Sequence, residues 1–79
     1  MGWNHRIMAT EYNGEVYFNI HEVYYDENGT PSGYTENPIS VGGESVKSIR
    51  WTLNKMKECL KKPILYGDDR FPLEYTQYQ

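Results

Sequence analysis

Apolar and polar residues alternate with period two through the first 25 positions, then shift to a helical period after position 45. Within the first region, Ile7, Ala9, Val16, Phe18 and Ile20 fall on alternate positions around the pair Asn13-Gly14. Asn-Gly tolerates positive φ at both residues and favours a type I′ hairpin turn. The pattern therefore predicts antiparallel strands over 5–12 and 15–25. Centring the turn on Asn13-Gly14 sets Glu11 opposite Val16, Ala9 opposite Phe18, Ile7 opposite Ile20, and His5 opposite Glu22. The apolar members share one side, which is the expected covered face. The other side carries Thr10, Met8, Tyr17, Asn19 and the Arg6–His21 pair, and is expected to stay open.

A second Asn-Gly pair, in Asp26-Glu27-Asn28-Gly29, leads to a third segment over roughly 32–41. Pro38 cannot donate to a ladder, so this strand lies at an edge or ends early. A bulge after residue 22 would shift the phase and decide whether Tyr25 or Tyr34 joins the open face. Gly42-Gly43 then breaks the chain. Ser45 is the expected N-cap, with Glu44 beside the positive helix start. Val46, Ile49, Leu53, Met56 and Leu60 step by 3, 4, 3 and 4 and form one apolar stripe. Lys61 and Lys62 suit the negative helix end, and Pro63 stops the helix. A short extended piece at Ile64-Leu65-Tyr66 precedes a polar tail that either wraps the domain or is mobile. The expected fold is α+β and two-layered: a three-stranded antiparallel sheet with one helix on one face (β-β-β-α). It occupies residues 1–66, followed by the tail over 67–79.

Composition narrows the classes. At 79 residues and 9.3 kDa the chain supports one small core and leaves little room for a deep pocket beside it. Hydrophobic residues are 38%, and eight tyrosines dominate the aromatics, so much of the apolar mass has a polar end. No stretch approaches the ~20 apolar residues of a membrane helix. The Met1–Arg6 stretch lacks the apolar run of a signal peptide. Cys59 is the only cysteine and has no disulfide partner within the chain, which points to a reducing, cytoplasmic setting.

The net charge of −3 is unevenly divided. Residues 1–44 set one cation against seven carboxylates, a net −6. Residues 45–62 set six cations against one carboxylate, a net +5, and residues 63–79 carry −2. The helix face is thus basic on an acidic sheet. It suits an acidic protein or a polyanion, although a run of lysines more often only solvates a helix. The acidic total disfavours nucleic acid.

Trp51 falls nearly opposite the apolar stripe, framed by Lys47 and Lys55. There it is a candidate interface anchor. Two structural explanations compete with that role: the tail folds over the ring, or lysine stems lie across it. The open sheet face offers Tyr17, His21 and Arg6 as a second candidate binding surface, because an uncovered aromatic patch commonly has a partner. Catalytic and metal chemistry find little support. His5 and His21 project to opposite faces and cannot share a metal. The default for His5 is a contact with Glu22, and for His21 a surface contact beside Arg6. Basic neighbours could lower the Cys59 pKa, but no histidine accompanies it. No phosphate loop, dinucleotide fingerprint or calcium loop is present. No cofactor or metal is therefore expected.

The run His21-Glu22-Val23-Tyr24-Tyr25-Asp26-Glu27-Asn28-Gly29, with Tyr34-Thr35-Glu36-Asn37-Pro38 after it, resembles a group of small uncharacterised bacterial and phage proteins. The likeness extends from about residue 5 to 66 and carries no activity with it. The order of elements also resembles the partial RNase-H-like domain of HicB antitoxins, which implies an inhibitor that folds against one toxin enzyme. The expected function is a small, non-catalytic protein-interaction or regulatory module, with a protein partner or self-association through an exposed strand edge. The alternatives are the antitoxin-like inhibitor and a weak nucleic-acid binder using the basic helix.

Overall fold

The computed structural model describes residues 2–76. Strands β1 (Gly2–Tyr12) and β2 (Glu15–Tyr25) form the expected hairpin, with Glu11 opposite Val16, Ala9 opposite Phe18, Ile7 opposite Ile20, and His5 opposite Glu22. Asn13 at φ 52° and Gly14 at φ 80° supply the two left-handed positions that a type I′ turn requires. Strand β3 (Pro31–Tyr34) pairs antiparallel with β2, and the register shifts between Tyr24 and Tyr25. The second turn is wider than a two-residue hairpin. Of its Asn28-Gly29 pair only Gly29 is left-handed. The Asp26 carboxylate closes the loop by accepting from the backbone N–H groups of Asn28 and Thr30. The third strand ends at Tyr34, short of residue 41. The chain stays beside β2 through a bond from the Ile39 N–H to the Ile20 carbonyl.

The sheet has four strands rather than three, in the order β3-β2-β1-β4. Strand β4 (Leu65–Tyr66), the extended piece after the helix, runs parallel to β1 with Met8 opposite Leu65 and Ala9 opposite Tyr66. A parallel neighbour needs a crossover. Helix α1 (Val46–Met56) and a 3-10 turn (Lys57–Lys61) provide it. The Ser45 hydroxyl caps α1 by accepting from the Ser48 N–H at 3.1 Å. Gly67 extends the parallel ladder, its N–H 2.8 Å from the Ala9 carbonyl. A Cβ there would lie 2.8 Å from Thr10 Oγ1 and 3.2 Å from Met8 Cβ, so a larger residue would force Thr10 and Met8 to shift.

Burial departs from the expected faces in two ways. The face expected to be open is covered over half its length. Arg6, Met8, His21 and Val23 are buried there, with Leu65 beside Met8 and the rings of Tyr25, Tyr34 and Phe71 packed around them. Only the end bearing Thr10, Tyr12, Tyr17 and Asn19 stays accessible. The cause is the segment after the helix. Residues 67–76 fold back along β4: the Tyr66 N–H bonds the Leu73 carbonyl, and the Tyr75 N–H bonds the Ile64 carbonyl. The tail thereby brings Phe71 to within 4.7 Å of Tyr34, centroid to centroid. On the other face Tyr75 stands edge-on to both Phe18 and Tyr66, each at 5.5 Å, across the small Ala9 between them in the sheet.

The helix covers less of the sheet than its stripe predicts. Met56 and Cys59 are its buried residues, whereas Val46, Leu53 and Leu60 are exposed, Leu60 by 70%. The change to 3-10 geometry at Lys57 explains Leu60. At three residues per turn, Cys59 stacks under Met56 and Leu60 swings outward.

Arg6 ties these parts together. Its Nε and Nη2 both donate to the Pro63 carbonyl, at 3.2 and 2.8 Å, and Nη1 donates to the Tyr25 hydroxyl at 2.8 Å. That hydroxyl in turn donates to Asn4 Oδ1. Among the described residues no carboxylate lies within ion-pair distance of this buried guanidinium. Replacing Arg6 by leucine strands the Pro63 carbonyl. The expected cost in urea unfolding is about 2–4 kcal/mol, against about 1 kcal/mol for Tyr25→Phe. An Arg6→Leu protein within about 0.5 kcal/mol of the parent would remove the clamp from this account.

Candidate functional site

The side chains that could meet a partner form two surfaces on opposite faces. The first surrounds the helix. Because α1 docks mainly through Met56, an apolar groove of about 450 Å³ opens between it and the sheet. Leu53, Met56 and Leu60 form one wall, Phe18, Ile20 and Ile39 the other, and Lys57 stands among them. Trp51 lies on the far side of the helix and is 62% exposed. It shares a second hollow with Ser45, Lys47 and Ser48. Among the described residues the tail makes no ring contact with Trp51: its rings Phe71 and Tyr75 contact Tyr34, Phe18 and Tyr66. A lysine does. Lys55 Nζ sits 5.5 Å from the Trp51 ring and 4.6 Å from the Trp3 ring, linking helix to β1.

The second surface is the accessible end of the opposite sheet face. Tyr12, Tyr17, Asn19, His21, Tyr34 and Glu36 line a cleft of about 500 Å³ there. Tyr17 donates its hydroxyl to Glu15 at 2.7 Å, which pushes the phenol pKa upward. His21 forms the inner wall. Its Nδ1 lies 2.9 Å from the Thr35 carbonyl, an atom that only accepts, so Nδ1 carries the proton. Tyr34 meets the His21 ring edge-on at 5.8 Å. Arg6 belongs to neither surface. It is buried beside His21, its cross-strand neighbour, with donors engaged by Pro63 and Tyr25, which corrects its placement on an open face.

The sequence-predicted residues therefore separate: Trp51, Lys47 and Lys55 on the helix, Tyr17 and His21 in the cleft, Arg6 inside. The groove residues Leu53 and Leu60 were expected in the core, because periodicity places a stripe but does not say how much of it docks. Tyr12 shares the parity of Thr10 and Met8 and could have been assigned to the Tyr17 face. Glu36 arrives from a loop and left no signal.

The remaining reactive groups are quiet. Burial raises the Cys59 thiol pKa, the opposite of the activation that its basic neighbours suggest. His5 makes no hydrogen bond to Glu22, whose carboxylate instead accepts from Tyr24. The His5 ring lies edge-on to Trp3 at 5.2 Å, and its buried Nδ1 has no partner among the described residues. Arg70 bonds Asp68 and Glu11, each at 2.6 Å, and lies over the Tyr66 ring, securing the tail. Among the described residues no cluster of His, Cys, Asp and Glu could hold a metal, and no helix is long and apolar enough to cross a membrane. Compared with family models, curated proteins and solved structures, the chain finds no match.

Burial holds the His5 imidazole below its ordinary value of 6.5; Glu22 opposes this and Lys55 adds to it. The unfolded chain then binds the proton first, so stability falls as pH drops through about 6.5. The melting temperature is expected to be lower at pH 5 than at pH 7.5, with a smaller drop in His5→Gln. Equal drops would clear His5 of the effect. Asp68, held low by Arg70, contributes its loss only below its ordinary 3.8. Trp51→Ala removes an exposed ring and is expected to change unfolding free energy by no more than about 0.5 kcal/mol. A larger loss would make Trp51 structural.

Proposed function

We propose that this chain is a small, non-catalytic interaction module that seats an acidic, amphipathic segment of a partner protein in the groove beside its helix. The observation that carries this reading is the exposure of Leu53 and Leu60 over an apolar groove, on a helical segment whose net charge is +5. Apolar side chains left uncovered around a groove mark an interaction site. The apolar rows of an amphipathic segment would fill it, as in helix-in-groove recognition. Its carboxylates would meet Lys57 in the wall and the neighbouring lysines, steering association and fixing orientation. A second copy is the poorer occupant, because a two-fold pairing through this groove sets one basic helix against another. Trp51 with Lys47 and Lys55 extends the basic side as a further contact for the same partner. Absence of activation at Cys59 supports binding rather than chemistry.

Selection from a random-peptide library tests the reading. Enriched sequences are expected to space apolar residues at i and i+3 or i+4 with Asp and Glu beside them. Leu53→Asp is expected to weaken their binding by at least about tenfold, or about 1.4 kcal/mol, with the fold retained. Enrichment without acidic residues would overturn the assignment. So would equal binding by Leu53→Asp, or a homodimer in light scattering that Leu53→Asp dissolves.

A further inference from the structure

We propose that the cleft on the opposite face is a binding site for an organic ammonium cation. The geometry rests on three phenol rings. Tyr12, Tyr17 and Tyr34 line one concavity of about 500 Å³, and no ring contact joins any of these three to another among the described residues. The space between the rings is thus left to a guest. Two of the rings are oriented in advance. Tyr34 is wedged between Phe71 and His21, and Tyr17 is tethered through its hydroxyl to Glu15. Such rings offer negative π faces to a diffuse positive charge.

The charges around the cleft have the matching sign. Glu36 is in the wall and Glu15 stands behind the Tyr17 hydroxyl, while no lysine or arginine lines the space. The half of the chain that builds it carries −6, and the positive charge is gathered on the helix across the sheet. Low-dielectric walls with charge of one sign focus the field on a counter-charged guest. An anion finds no cationic donor here, since Arg6 is committed to Pro63 and Tyr25. Among the described residues a small hydrated metal ion finds one carboxylate in the wall and no ligand cluster. An organic ammonium fits both the rings and the carboxylates. That chemistry is shared by a free quaternary amine and by the ammonium of a lysine side chain.

The site is independent of the helix groove, and its test separates the two. Backbone amide shifts are followed by NMR during titration with choline, with N-acetyl-lysine methylamide, and with 3,3-dimethylbutanol, the uncharged isostere of choline. Saturable shifts are expected at Tyr12, Tyr17, Tyr34 and Glu36 with at least one of the two cations. Binding of choline assigns the site to a free quaternary amine, and binding of the lysine derivative alone assigns it to a peptide ligand. Glu36→Gln is expected to weaken the bound cation at least about fivefold, and Tyr17→Ala more, in proteins whose remaining amide shifts stay in place. The proposal is overturned if the uncharged isostere binds as tightly as the cation that binds, if neither cation shifts the cleft, or if Glu36→Gln changes nothing.

Discussion

Arg6 carries a guanidinium into the interior with no carboxylate among the described residues within ion-pair distance, and a buried guanidinium must have its donors satisfied in place. Here the Pro63 carbonyl takes two of them and the Tyr25 hydroxyl a third. Pro63 lies two residues beyond the helical segment, which ends at Lys61, so the same contact that satisfies the charge brings the returning chain back to β1. From that point Leu65 pairs beside Met8, Gly67 slips against Ala9, and the tail follows along β4. The Arg6 contact adds to the burial of Leu65 and to the backbone bonds of Tyr66 and Gly67 that hold this two-residue strand.

Anchoring the chain at Pro63 also fixes what remains uncovered. The helical segment is tied down at its C-terminal end, where Met56 and Cys59 are buried, and is less covered at its start, where Val46 is exposed. The tail is spent elsewhere. Phe71 closes the Arg6 face, while Tyr75 fills the hollow over Ala9 between Phe18 and Tyr66. The outcome is one surface on each side of the sheet: a basic apolar groove by the helix and an acidic aromatic cleft at the hairpin end. The charge asymmetry along the sequence thereby becomes an asymmetry between two faces.

The hairpin was legible because its determinants are local. Asn13-Gly14 sets the turn, the turn sets the register, and period two assigns each side chain a face. The Ser45 cap and the helix that follows were legible for the same reason. Which face would be covered was not. Arg6 and His21 are polar, and a pattern that equates burial with apolarity turns them outward. Arg6 is satisfied by a carbonyl 57 residues away in sequence, and His21 is covered by Thr35 and Tyr34 from the segment beyond the second turn. The switch to 3-10 geometry that exchanges Cys59 for Leu60 is likewise invisible to a stripe counted at 3.6 residues per turn. Of the candidate binding residues, Tyr17, His21 and Trp51 follow from local periodicity. The groove follows from how incompletely the helix docks, which is decided by the clamp at its far end.

The most direct test of this account is the hydrogen exchange of the Arg6 side chain, read by NMR at its Nε–H. The clamp predicts a resolved resonance whose exchange is strongly protected, together with cross-peaks from this proton to the residues around Pro63. An Arg6 Nε–H exchanging as fast as that of the exposed Arg50, without those cross-peaks, would contradict it.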